Sequence, residues 1–288
     1  GQEYGADIDL WATQNEPFAN TLAGYVQPGE FRVHPPGRTF DGPAAVASIF
    51  HQIEAHAAMY DALHTEDIDD ADDDGTSASV GTVLNVVAVE PRDPDSTADQ
   101  VAAAHLDYVY HRVYLDAVTA GAWDDDVDGT ADRTRDDLAD RLDWLGVNYY
   151  NVVRAGSLGS LRPLPEVPVM DFFPEIIDEA IADGLGPALD VAAEYDVPIY
   201  ITEVGTRFDA ERVDYLDDLV RITHDKLDAG MDIRGFFWWS YVDNYEWNHG
   251  MSMTFGMYEV DLETKERELR EIGAAYGEIA LERRLPRD

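Results

Sequence analysis

There is no cysteine among the 288 residues, which excludes disulfides and thiol catalysis and favours a reducing, cytoplasmic setting. Lysine is nearly missing too, with Lys226 and Lys265 the only two. Twenty cationic side chains face 59 carboxylates, a net charge of -39. Nucleic acid is therefore not an expected partner, because phosphate binding requires the opposite sign. No apolar run approaches the roughly 20 residues of a membrane helix, so no membrane partner is expected either. The chain has no glycine-rich phosphate turn after a strand-like run and no G-x-S-x-G elbow. The histidines show no H-E-x-x-H spacing, and His51 and His56 fit a helix surface. Asp70-x-Asp72-x-Asp74-Gly75 and Asp124-x-Asp126-x-Asp128-Gly129 open like calcium loops. Their twelfth positions, Gly81 and Arg135, lack the bidentate glutamate such loops need. Both read as hydrated acidic loops, and no metal or other cofactor is expected.

What is present begins with the acids, scattered along the chain instead of gathered in one tail. Self-repulsion at this density destabilises a compact state in dilute buffer. At molar salt the screening length falls to roughly 3 Å and the repulsion largely disappears. The surface therefore reads as adapted to a salt-rich cytoplasm. The apolar fraction of 45% supports a sizeable core.

Short apolar runs, rich in β-branched and aromatic residues, recur with helical patterns between them. Ile8 to Gln14 precedes a helix expected from Pro43 to about Leu63, and Val80 to Val89 precedes one from about Ser96 to Thr119. Leu145 to Tyr150 is the third run. Val197 to Thr202 and Ile233 to Ser240 follow, with helices expected from Val213 to Ala229 and from Arg267 to Arg284. Near-continuous apolar strands alternating with helices predict a parallel sheet covered by helices. Polar and aromatic residues collect at the C-terminal ends of these strands, where a (β/α)8 barrel assembles its active site. The stretches Glu66 to Gly75 and Asp124 to Asp137 lack apolar periodicity and read as surface loops. Neither an internal repeat nor a linker is evident, so residues 1–288 are expected to form a single domain.

Glu16 and Glu203 each sit directly after a strand-like run. Two carboxyl groups converging across a barrel mouth divide into an acid and an anion, because their repulsion keeps one protonated. Position alone is weak support, since a glutamate after a strand is more often a solvated loop residue. The flanking residues decide the matter.

Thr13-Gln14-Asn15-Glu16-Pro17 resembles the T-x-N-E-P acid/base motif of glycoside hydrolase family 1, the β-glucosidase and β-galactosidase family. Gly24-Tyr25 and His34-Pro35-Pro36-Gly37 resemble the loop that follows it. Gly146-Val147-Asn148-Tyr149-Tyr150 is similar to the family's G-x-N-Y-Y strand, and Ile201-Thr202-Glu203-Val204-Gly205 to its I-T-E-N-G nucleophile strand. Trp239-Ser240-Tyr241-Val242-Asp243-Asn244-Tyr245-Glu246-Trp247 resembles the sugar-binding segment W-S-x-x-D-N-x-E-W. Archaeal members look closest, and the charge makes the chain haloarchaeal-like.

The resemblance implies a retaining exo-β-glycosidase acting on a small glucoside or galactoside, with Glu16 as acid/base and Glu203 as nucleophile. It implies that Asn15 bonds the 2-hydroxyl and Tyr150 donates to Glu203. Trp239 would form an apolar floor for the ring, Glu246 would accept from the 4- and 6-hydroxyls, and Trp247 would donate to the 3-hydroxyl. Asn148 is a further substrate-binding candidate, whereas Trp238 and Tyr149 read as core. Homo-oligomers are left open. Two features depart from the family. Val204 replaces an asparagine after the nucleophile, which is expected to alter the positioning of Glu203. The acid/base motif also begins at residue 13 instead of well inside the chain. The expectation is a (β/α)8 barrel represented by its C-terminal five βα units, strands 4 to 8. Upstream strands bearing Gln, His-Trp and Arg contacts would be lacking. An inactive or degenerate sugar-binding protein is the competing expectation.

Overall fold

The computed structural model describes residues 1–26, 33–156, 175–177 and 181–282. Its centre is a parallel sheet of five strands: β1 (Leu10–Asn15), β2 (Ser79–Asn85), β3 (Trp144–Tyr149), β4 (Ile199–Val204) and β5 (Ile233–Trp238). They lie side by side in chain order, every neighbouring pair parallel. Doubly wound sheets reverse their strand order at a switch point. This one winds in a single direction, as a barrel wall does.

Burial follows position in the sheet. All six residues of β3 are buried, and β2 is buried except at its two ends. On β1 the exposure alternates, and Leu10 is 43% exposed. On β5 Phe237 is 52% exposed. The continuous apolar runs thus mark strands with neighbours on both sides and helices over them.

The helix after β1, α1 (Gly42–Glu66), starts where Asp41 accepts the Ala44 N–H at 3.3 Å, with proline in its first turn. It buries Ala45, Ile49, Ile53, His56 and Ala57, a stripe at helical spacing. The helix α2 (Thr97–Asp107) is capped by Ser96 and continues through a π-helical turn, Tyr108–Arg112, into α3 (Val113–Ala120). Gly121 ends it with a φ of 65°, a conformation that suits glycine. Between β3 and β4 lies α4 (Leu185–Ala193), which the sequence reading did not anticipate. Its buried Leu185, Ala188, Leu189 and Ala192 do carry the helical spacing, but over only nine residues. The helix α5 (Arg212–Asp228) follows β4, close to its expected span.

Three further expectations are corrected. The last helix, α6 (Glu271–Glu282), does not begin at Arg267, because Arg267–Leu269 pairs antiparallel with Tyr258–Val260. The turn between them is held by Asp261, whose carboxylate accepts the Glu263 and Thr264 N–H groups. The expected end at Arg284 lies outside the described residues. His56 is not on a helix surface: it is fully buried, in contact with Thr13 Oγ1 at 2.6 Å and the Arg141 carbonyl at 2.5 Å. The acidic stretches are not wholly surface loops either. Asp67 is buried and accepts the Trp11 indole N–H at 2.7 Å. Asp124 is buried and accepts from Tyr108 and from the Gly129 N–H. Among the described residues no helix is long and apolar enough to cross a membrane.

Candidate active site

Four adjacent strand ends supply the site. Asn15 closes β1, Asn85 closes β2, Asn148 lies near the end of β3, and Glu203 near the end of β4. Register aligns them: Asn85 is the Cα partner of Asn148, and Asn148 the partner of Glu203. Adjacent strands lie about 4.8 Å apart, so side chains from neighbouring ends fall within hydrogen-bond reach.

Glu16 is brought into this row by strain. The β1–β2 register shifts between Ala12 and Asn15, and Glu16 itself adopts φ 51° and ψ 57°, the left-handed region. Such a conformation costs a non-glycine residue of order 1 kcal/mol and persists only where the surroundings enforce it. Here the Glu16 N–H donates to the Val83 carbonyl at 2.8 Å, and the helical turn Pro17–Thr21 starts at once. The carboxyl is thereby turned out of the strand direction and over the sheet end.

Asn148 stands at the centre and is fully buried. Thr202 Oγ1 donates to Asn148 Oδ1 at 2.7 Å, which fixes the amide's orientation. The opposite side of that amide, Nδ2, donates to Asn15 Oδ1 at 3.0 Å and to Glu16 Oε1 at 3.1 Å. Across the β3–β4 ladder the Cα partner of Asn148 is Glu203. One buried amide therefore bonds Glu16 and stands in register with Glu203. The Tyr150 hydroxyl donates to Glu203 Oε2 at 2.8 Å.

Burial pushes the Glu203 carboxyl up to about 7. The Tyr150 hydrogen bond opposes this, the negative charge of Glu16 adds to it, Asn148 opposes it, and the charge of Glu246 adds again. The Tyr150 hydroxyl is raised well above its ordinary value, first by burial and then by the Glu203 charge, so it stays a proton donor.

The other candidates meet beyond β5. Trp238 is buried, as expected, and donates its indole N–H to the Phe255 carbonyl at 3.1 Å. Trp239 turns the other way and donates to Glu246 Oε1 at 2.9 Å. Trp247 is half-exposed and packs on the buried His34 ring, centroids 4.1 Å apart. Tyr149 is fully buried and donates to the Ile181 carbonyl. Val204 is buried too, and its carbonyl accepts the Trp239 N–H at 2.8 Å.

The sequence reading missed three supporting residues. Asn85 donates to Glu16 Oε1 at 3.3 Å; a polar residue inside the run Val80 to Val89 was the available signal. Thr202 stands out in the sequence only as a member of the motif around Glu203. Arg270 grips Asp243 through two bonds of 2.9 and 2.7 Å and also donates to the Gly256 carbonyl. That clamp ties the Asp243–Trp247 segment to the end of the second hairpin strand, and no local pattern announces it. Elsewhere, Asp9, Asp70 and Asp72 bring carboxylate oxygens within 4.8 Å of one another, as do Asp124, Asp126 and Asp128. Asp9 and Asp70 already accept backbone N–H groups of the same loop.

A singly wound parallel sheet with two carboxylates and a tryptophan at its C-terminal rim defines the class of α/β-barrel sites. Residues 2–160 and 168–284 match Glycosyl hydrolase family 1, and the chain belongs to that family. It is 31% identical to the β-galactosidase of Pyrococcus woesei over 93% of this chain and 56% of that protein. It is 29% identical to a β-glucosidase of Agrobacterium over 96% of this chain and 62% of that protein. Among solved structures, a β-glycosidase from Pyrococcus horikoshii superposes with a TM-score of 0.79 at 30% identity, covering 99% of this chain and 64% of that one. The chain thus spans between about half and two thirds of the length of these relatives.

Proposed function

We propose that this chain carries the acid/base and the nucleophile of a retaining exo-β-glycosidase that removes terminal β-D-glucosyl or β-D-galactosyl units. The observation that carries the reading is that Asn148, whose amide bonds Glu16, is the strand-register partner of Glu203, so both carboxyls stand at one sheet end. Retention needs two carboxyls about 5–5.5 Å apart, one protonated and one ionised. In the first step Glu203 attacks the anomeric carbon while Glu16 gives its proton to the departing oxygen. In the second, Glu16 takes a proton from water, whose oxygen attacks the same carbon and releases Glu203. Tyr150 steadies the Glu203 anion by its hydroxyl and gives up that bond as the ester forms.

The sugar is placed by the remaining candidates. Asn15 bonds the 2-hydroxyl, Trp239 underlies the ring, Glu246 accepts from the 4- and 6-hydroxyls, and Trp247 donates to the 3-hydroxyl. The Glu246 charge disfavours a 6-phosphorylated sugar. Asn148, buried and hydrogen-bonded to protein groups, serves the carboxylates more than the sugar. Together the five strands act as strands 4 to 8 of a (β/α)8 barrel, in one catalytic domain with a salt-adapted surface.

Glu203→Gly in the full-length protein should lower turnover about 10⁴- to 10⁶-fold, as loss of a nucleophile does. Azide should restore part of it by occupying the vacated space. Undiminished turnover in that variant would remove Glu203 from the mechanism. Salt adaptation has its own check: the unfolding temperature should climb by many degrees between about 0.1 and 3 M KCl.

A second reading, an inactive sugar-binding chain, is favoured by one observation. Glu203 is pushed up to about 7, first of all by burial, and a carboxyl that keeps its proton near neutral pH is a poor nucleophile. Residues 1–288 alone are accordingly expected to turn over β-glucosides poorly. Full activity from them would discard this second reading.

A further inference from the structure

The hydrogen bonds around Glu16 distinguish its two oxygens. Asn85 Nδ2 and Asn148 Nδ2 both approach Oε1, at 3.3 and 3.1 Å. An amide N–H can only donate, so Oε1 acts as the acceptor in both contacts. In a neutral carboxyl the carbonyl oxygen is the good acceptor and the hydroxyl oxygen a poor one. Two donors on Oε1 therefore leave the proton to Oε2. We infer that Asn85 is a positioning residue that, with Asn148, assigns the transferable proton of Glu16 to Oε2. This rests on the acid/base reading of Glu16.

The frame holding Asn85 is rigid. It ends β2, opposite Asn148, and the Val86 N–H donates to the Asn148 carbonyl at 2.9 Å. The Glu16 N–H is tied to Val83, two residues before Asn85, at 2.8 Å. Donor and carboxyl thus share one backbone scaffold. Asn148 alone is a weaker selector, because its Nδ2 is shared with Asn15 at 3.0 Å. A carboxyl rotates about its last bond over a broad, roughly two-fold profile. Without Asn85 the two oxygens would exchange places more freely, and the proton would face the leaving group for a smaller fraction of the time.

In the transfer itself, the Oε2–H bond breaks and a new O–H bond forms on the glycosidic oxygen. The C–O bond to the aglycone breaks with its electron pair going to that oxygen, and the Glu203 carboxylate bonds the anomeric carbon. Charge and atoms balance without any further reagent. A leaving group that departs as a stable anion needs no proton, and this separates positioning of the proton from general damage.

The experiment compares Asn85→Ala and the isosteric Asn85→Asp in the full-length protein, using a methylphenyl and a dinitrophenyl β-glucoside. Labelling of Glu203 by a fluorinated glucoside, read by mass spectrometry, counts the folded sites in each preparation. Per labelled site, kcat/KM for the methylphenyl substrate should fall about 10- to 100-fold, within the range that general acid catalysis supplies. For the dinitrophenyl substrate it should change less than about 3-fold. Equal losses on both substrates, or no loss on either, would overturn the role of Asn85 and leave the glycosidase reading intact. A wild-type protein that hydrolyses neither substrate and takes no label at Glu203 would overturn both.

Discussion

The middle of the sheet and its two margins obey different rules. In β3 every side chain is buried, and β3 bonds neighbours on both sides. In β1 and β5 exposed and half-buried residues are mixed along the strand, and Leu10 and Phe237 stand in solvent. The proposed catalytic pair straddles this division. Glu203 lies on β4, inside the sheet, whereas Glu16 leaves β1 at its margin in a left-handed conformation. Glu203 is accordingly held by burial and Tyr150. Glu16 depends on bonds reaching across from β2 and β3. The interior strands form a finished structure, while the margin borrows its geometry from its neighbour.

The largest test of this contrast is in the centre. Leu145→Ala removes a fully buried side chain from β3 and should cost about 2–5 kcal/mol by denaturant titration. A cost below about 1 kcal/mol would mean that the centre packs no better than the edge.

An intermediate effect is expected at Glu203. Its folded-state carboxyl titrates near 7, above the ordinary 4.5, so the folded protein holds this proton more tightly than the unfolded chain. Stability from this group is therefore present below about pH 4.5 and lost as pH rises towards 7. Glu203→Gln should match the wild type near pH 4 and exceed it by roughly 3 kcal/mol at pH 8. Parallel stability curves for the two proteins would show that burial does not penalise the charge.

The smallest change is expected at the margin. Leu10→Ala should alter stability by less than about 1 kcal/mol while β1 remains an edge. If a longer polypeptide covers β1, the same substitution should become several-fold more costly, which sharpens the contrast between centre and margin.

Much of this was legible along the chain, for reasons that differ by residue. Asn15-Glu16 and Glu203 stand out because each follows a strand-like apolar run, and the sequence around them resembles a family motif. Trp238 and Trp239 were assigned opposite faces from strand alternation alone, and they take them. His56 was misread, because a histidine on an amphipathic helix gives no sign that a threonine and a carbonyl from other elements enclose it. The start of the last helix was misplaced because Arg267–Leu269 is charged enough to suit a helix, and only pairing with Tyr258–Val260 makes it a strand. Asn85 and Arg270 were passed over because each acts on a residue far off in the sequence.

By itself the sequence determined the parallel strands, most of the helices between them, the acidic surface and which two glutamates are proposed as the catalytic pair. These are local or compositional properties, readable in windows of a few residues. Tertiary structure decided that Asn148 meets Asn15 across 133 positions, that Asp243 closes on Arg270, and which oxygen of Glu16 receives the amide donors. Strand register and burial set those meetings, and both arise only when distant segments pack together.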